Sequence, residues 1–216
     1  MNKTCLLIIN GKFSSRSLLK KLLLKYDSDI ICADGGSNIA FKLGVIPKYI
    51  IGDLDSISAE ALKYYEGKTS IKKISRQTDT DLEKALKFIV KKNYSRVIVF
   101  GASGGRFDHQ FANTSILFRY AKLIEITFIA EETVGQFIRG DKKFNSRKGE
   151  AISIFAFDAK TRITSKGLKY KLKETKLKYG EREGNSNESL GENFSLKVVG
   201  GICLIIRSLN SFLSDE

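Results

Sequence analysis

Through roughly the first 130 residues, short apolar runs alternate with stretches whose apolar residues recur at helical spacing, and no other feature restricts the fold as much. Strands are expected at residues 4–9, 30–33, 49–51, 72–74, 96–100 and 125–130. Helices fit between them: residues 17–26 place Leu18, Leu19, Leu22 and Leu23 on one face, residues 81–92 do the same with Leu82, Ala85, Leu86 and Ile89, and residues 110–121 follow a glycine-rich turn. Strand and helix in strict turn require a parallel sheet with crossover helices. Pro47 falls in a helix-to-strand link, where its missing N–H does no harm.

Past residue 132 the texture changes. Alternating runs at 151–157, 167–172 and 196–206 are separated by clusters of Gly, Asn and Ser, which is how a small antiparallel β-domain reads. Residues 181–192 are so rich in Gly, Asn, Ser and Glu that a long loop is expected there. The reading is therefore an α/β domain over residues 1–132 followed by a β-domain over 133–216.

Charge and cysteine content limit the functional classes. The net charge is +13, and residues 139–182 hold 14 Lys and Arg against 5 Asp and Glu. A basic stretch of this kind fits a nucleic-acid surface, a set of solvated faces and protected strand edges, or a field that attracts an anionic nucleotide. The second reading is adopted, so no nucleic-acid partner is expected. Cys5, Cys32 and Cys203 lie far apart among apolar residues and suggest neither a disulfide framework nor a zinc site. The opening apolar run, Cys5 to Ile9, is too short for a signal peptide, and nothing later approaches a bilayer span. A cytoplasmic protein without a membrane partner is expected.

Four polar clusters each stand where an expected strand ends, and in an open α/β sheet such ends converge on one crevice. In Ala33-Asp34-Gly35-Gly36-Ser37-Asn38 the paired glycines let backbone N–H groups approach a phosphate, although many strand-to-helix turns look the same. In Gly52-Asp53-Leu54-Asp55-Ser56 two carboxylates repel one another unless a cation sits between them, and oxygen ligands with substrate phosphates point to Mg²⁺; a solvated turn is the alternative. In Gln77-Thr78-Asp79-Thr80-Asp81 a carboxylate or hydroxyl beside a helix start also serves as an ordinary cap. The fourth cluster, Gly101-Ala102-Ser103-Gly104-Gly105-Arg106-Phe107-Asp108-His109, brings glycine backbone, a guanidinium and the chain's one histidine together, followed by Asn113. Arg holds two phosphate oxygens at once, and the histidine has a structural reading as well as a functional one. No G-x-x-x-x-G-K-[ST] is present, so an ordinary P-loop is excluded. The residues alone give a nucleotide-phosphate and Mg²⁺ site with the acceptor open.

The ordered set A-D-G-G, G-D-x-D-S, Q-x-x-T-D and G-x-x-G-G-R-x-D resembles the thiamine pyrophosphokinase family, with a looser match at Gly167-Leu168-Lys169-Tyr170 and Ser186-Asn187. The resemblance implies that Asp53, Asp55 and Asp81 hold Mg²⁺ and that Gln77, Thr80, Arg106 and Asp108 contact ATP or its phosphates. Asp34 would sit at the same site. Gly35, Gly36, Gly104, Gly105 and His109 complete the expected ATP contacts, with Asp53, Asp55, Asp81, Arg106 and Asp108 as the expected catalytic set. Ser186, Asn187 and Tyr170 are the expected thiamine contacts. The resemblance further implies a C-terminal β-sandwich that helps bind thiamine, and a homodimer. Two departures stand out. Thr78 replaces an acidic residue of some relatives, with Asp79 one place later, and the chain has no tryptophan, which leaves Tyr170 and Phe194 as candidates to stack on thiamine.

Overall fold

In the computed structural model, the described residues are 3–12, 16–76 and 78–215. Among them, six strands alternate with five helices in a first compact unit, Met1–Glu131: β1 (Thr4–Ile8), α1 (Arg16–Tyr26), β2 (Asp29–Ala33), α2 (Gly36–Lys42), β3 (Tyr49–Gly52), α3 (Ala59–Tyr65), β4 (Ser70–Lys73), α4 (Asp81–Lys91), β5 (Arg96–Phe100), α5 (Phe107–Tyr120) and β6 (Glu125–Ala130). All pairings within this sheet are parallel, in the order β6-β5-β1-β2-β3-β4. Central strands are apolar on both faces, as a covered parallel sheet requires: Cys5, Leu6, Leu7 and Ile8 of β1 are fully buried. β4 forms the outer edge, and its exposed Lys72 and Lys73 discourage further strand pairing.

The order reverses at β1. From there the chain builds β2, β3 and β4 to one side, then crosses over to lay down β5 and β6 on the other. A crevice opens beyond the strand ends at such a reversal. α2 packs on β1 and β2, and α4 on β2 and β3, so both helices start beside that crevice.

The second unit, Glu132–Glu216, is antiparallel: β7 (Thr133–Asn145), β8 (Ala151–Ala156), β9 (Arg162–Lys166), β10 (Gly184–Glu188) and β11 (Asn193–Ser208), then α6 (Leu209–Asp215). β7 and β11 are long and paired along their length, with a register break between Val198 and Cys203. Before the break β11 pairs with β9; after it, with β8, which carries β10. Gly140 and Gly200 stand at the break with φ of 68° and 84°, a left-handed backbone that favours glycine. Both halves bury their inner faces in one core, where Phe144, Leu196 and Ile163 from one half meet Ile152, Ile154 and Ile205 from the other. This is a β-sandwich whose layers share two bent strands. Within it, Arg207 is fully buried, donating from Nε to Glu150 Oε1 at 3.1 Å while its guanidinium lies 5.5 Å from the Phe144 ring centroid.

Two expectations need correction. The run 167–172 is not a strand: the strand ends at Lys166, and Gly167 turns the chain with φ 77°. The segment 181–192 is not all loop, because Gly184–Glu188 forms an edge strand on β8 with a bulge between Gly184 and Asn187. Its composition reads as loop because its partner supplies the apolar residues, Ile152 and Ile154. Among the described residues, no helix is long and apolar enough to cross a membrane.

Candidate active site

All four polar clusters of the first unit contribute to one cavity of about 790 Å³ at the switch point. Its floor is made by close backbone approach. A Cβ on Gly11 would lie 1.9 Å from the Gly101 carbonyl oxygen, so the turns after β1 and β5 come this near only with glycine there.

Carboxylates from three strand or helix ends meet in this cavity. Asp34, Asp53 and Asp81 each offer an oxygen, and the three oxygens lie within 4.8 Å of one another. Asp34 follows β2 with φ 37° and is fully buried; its Oδ2 accepts from the Ser56 N–H at 3.2 Å. Among the described residues, Oδ1 of Asp34 and Oδ1 of Asp53 are buried and accept no hydrogen bond. Burial pushes the Asp34 carboxyl up to about 6, against the pull of the Ser56 N–H and with the charges of Asp81 and Asp55 adding to the rise. Asp53 is held below the usual carboxylate range by Lys84, whose Nζ donates to Asp53 Oδ2 and Asp81 Oδ1, both at 2.9 Å. Clustered carboxylates that repel one another, two of them with a buried oxygen that lacks a donor, match a hard divalent cation, which takes oxygen ligands. Asp55 lines the same cavity but falls outside the three-oxygen cluster, its Oδ1 accepting from Ser56 Oγ at 2.8 Å.

Helix starts supply the rest of the wall. Thr80 caps α4, its hydroxyl accepting from the Glu83 N–H at 3.2 Å, and Asp79 is held by Lys87 at 2.9 Å. Gln77 lies outside the described residues. Gly35, Gly104, Gly105 and His109 line the cavity, whereas Gly36 is packed against β1, where a Cβ would meet the Ile8 carbonyl oxygen at 2.2 Å. Arg106 and Asp108 form a two-pronged pair, 3.1 Å from Nε to Oδ1 and 2.6 Å from Nη2 to Oδ2, and both are largely exposed. The guanidinium fork is thus satisfied by a neighbour that an incoming phosphate can replace.

In the second unit Tyr170, Ser186 and Asn187 are neighbours. Asn187 is buried, accepting from the Tyr170 N–H at 3.0 Å and donating to the Tyr170 carbonyl at 2.8 Å. Its amide is occupied by that clamp, while the Tyr170 ring and Ser186 are exposed. Phe194 is unavailable for stacking because it is buried with its ring on Phe144, 4.8 Å between centroids.

Residues 20–128 match the pattern of the family described as thiamin pyrophosphokinase, catalytic domain, and residues 135–205 match thiamin pyrophosphokinase, substrate-binding domain. The chain belongs to the thiamine pyrophosphokinase family. Membership makes it an enzyme, a thiamine diphosphokinase of thiamine diphosphate biosynthesis. It is 31% identical to thiamine pyrophosphokinase 2 of Oryza sativa subsp. japonica over 186 residues, covering 73% of this chain and 69% of that one. It is 27% identical to the thiamine pyrophosphokinase of Bacillus subtilis over 184 residues, covering 82% and 86%. The crystal structure of thiamine pyrophosphokinase from Bacillus subtilis matches with a TM-score of 0.81 at 25% identity, over 95% of this chain and 99% of that one. Thiamin pyrophosphokinase from Candida albicans shares the fold with a TM-score of 0.81 at 22% identity, over 96% and 89%.

Sequence reasoning missed two parts of this candidate site. Lys84 reads as one more lysine on an amphipathic helix, and the available signal was its spacing of three from Asp81, which puts both on one helix face. Asn38 was noted without a role; its Nδ2 donates to the Ser56 carbonyl at 2.7 Å and its Oδ1 accepts from the Ser58 N–H at 2.9 Å, tying the Asp53-Asp55 turn to α2.

Proposed function

We propose that the chain moves the terminal diphosphate of ATP onto the hydroxyl of thiamine, giving thiamine diphosphate and AMP, with Mg²⁺ as cofactor. The observation that carries this reading is the cluster of Asp34, Asp53 and Asp81 with its two buried, unpartnered oxygens. Asp53, Asp81 and Asp34 would hold the ion, with Asp55 beside them. When bound, Mg²⁺ supplies neutralisation of charge on the transferring diphosphate.

The chain's own groups do the rest. Backbone N–H groups at Gly35, Gly104 and Gly105 cradle phosphate oxygens, and Arg106 exchanges Asp108 for two of them. His109, Gln77 and Thr80 border the nucleotide. The thiamine hydroxyl oxygen bonds to the β-phosphorus, and the bond from that phosphorus to the oxygen bridging to the α-phosphate breaks. AMP leaves with the electron pair. The hydroxyl proton passes to a carboxylate of the cluster. Positioning contributes most of the remaining acceleration.

We assign diphosphate transfer to residues 1–132 and thiamine recognition to 133–216. There the Tyr170 ring offers a stacking face, Ser186 a polar contact, and Asn187 holds Tyr170 in place. The working form is a cytoplasmic homodimer without a nucleic-acid or membrane partner. Part of the basic stretch is consistent with this, since Lys169 pairs with Glu188 and Lys178 with Glu181.

Incubation of the purified protein with ATP, Mg²⁺ and thiamine tests the reaction. Equal amounts of AMP and thiamine diphosphate are expected. ADP with thiamine monophosphate would show attack at the wrong phosphorus, and absence of product with thiamine would overturn the acceptor.

A further inference from the structure

Lys84 has no part in the reaction as set out above, yet it is placed at the centre of the site. It is 3% exposed, and its ammonium donates to Asp53 on the turn after β3 and to Asp81 on its own helix. An ammonium taken out of water is stable only when carboxylates replace its hydration. Here the replacement is lopsided, because one ammonium faces three clustered carboxylates, Asp34, Asp53 and Asp81. The oxygens that Lys84 holds, Oδ2 of Asp53 and Oδ1 of Asp81, are not the ones left without a partner, Oδ1 of Asp53 and Oδ1 of Asp34. By fixing one oxygen of Asp53, Lys84 sets where the other points.

We propose that Lys84 is a positioning residue and the resident counter-ion of the carboxylate cluster, holding Asp53 and Asp81 in place so that their remaining oxygens and that of Asp34 face the seat of a divalent cation. The inference rests on the proposed metal-dependent diphosphate transfer. Lys84 and the cation offset the same negative charge from opposite sides. Removing the lysine therefore makes the fold lean on the cation, whereas a lysine that only fills space would leave no such dependence.

The test compares thermal unfolding of the wild-type chain, Lys84→Met, and Asp53→Asn combined with Lys84→Met, each in chelator and in saturating Mg²⁺. Lys84→Met is expected to lose about 10 °C in chelator, the size set by breaking a buried ion pair in a chain of this length. Mg²⁺ should restore more than half of that loss and should shift the wild type much less. The double variant should unfold above Lys84→Met in chelator, because it no longer buries an unpaired Asp53. With substrates present, Lys84→Met should lower kcat with little change in the KM for ATP. A loss that is the same with and without Mg²⁺, or a double variant no more stable than the single, assigns Lys84 to packing and overturns the proposal. So does failure of both variants to fold in Mg²⁺. Calorimetric titration of the wild type with Mg²⁺ separates the two readings: no uptake there defeats the metal assignment, whatever the variants do.

Discussion

The two ends of β2 carry an aspartate each, and the protein treats them in opposite ways. Asp29, at the start of the strand, accepts from the Tyr94 hydroxyl and from Lys48 Nζ at 2.9 Å, with Lys3 Nζ at 3.4 Å. Burial would raise its carboxyl, but Tyr94 and then Lys48 outweigh it and hold the group below its usual range. Asp34, just past the other end, is more deeply buried, has one oxygen without a partner and is raised to about 6. One carboxylate is satisfied and stabilises the sheet. Its counterpart is left in deficit at the crevice, where a ligand can make up the difference. In a parallel sheet the strand starts serve stability and the strand ends serve chemistry, and here the division falls within a single strand of five residues.

The largest expected effect lies at the crevice end. Asp53→Ala should lower turnover on the order of a thousandfold, the scale of several kcal/mol of charge stabilisation, while the chain still folds in chelator because Lys84 keeps Asp81 as a partner. Steady-state rates beside a thermal melt check both halves, and near-normal turnover would break the contrast between the two ends.

The next effect is a pH dependence whose sign differs between the ends. Asp34 has a folded value above its unfolded one, so the folded state binds the extra proton, and stability falls as pH rises from about 4 to about 6. The loss is on the order of 3 kcal/mol in chelator, and Asp34→Asn should remove it; denaturant titrations across that window give the comparison. A flat profile in the wild type would mean that Asp34 finds a partner in solution.

Asp29 works the other way and more weakly. Its folded value is depressed, so its contribution is present above pH about 4 and is lost as pH falls through the folded value. Asp29→Asn should cost about 1–2 kcal/mol at neutral pH, less in acid, with turnover unchanged. Chemical denaturation at the two pH values measures it.

The sheet was legible where backbone need and side-chain type agree. Runs such as Arg96–Phe100 are apolar on both faces because a parallel strand is covered on both, and no helix period fits so short a run. The acidic and glycine clusters were visible as strand-end chemistry because aspartate and paired glycine are poor strand formers. Lys84 was not visible, since its contact with Asp53 spans 31 residues and exists only once α4 lies on β3. Nor was the strand at Gly184–Glu188, where the register comes from β8 rather than from its own side chains. The long β7 strand was missed for a related reason: its second half, including Lys142 and Lys143, is exposed and polar, and alternation fades there.

Because β7 and β11 run through both layers of the second unit, neither layer owns its strands. Opening one half removes the hydrogen-bond partners that keep the other half in register, so the sandwich has no smaller piece that can come apart and reclose by itself. Amide protons in the two halves of β11 should then exchange with solvent through one shared opening event, and the edge strand at Gly184–Glu188 inherits the persistence of the whole unit although its own residues pack so little.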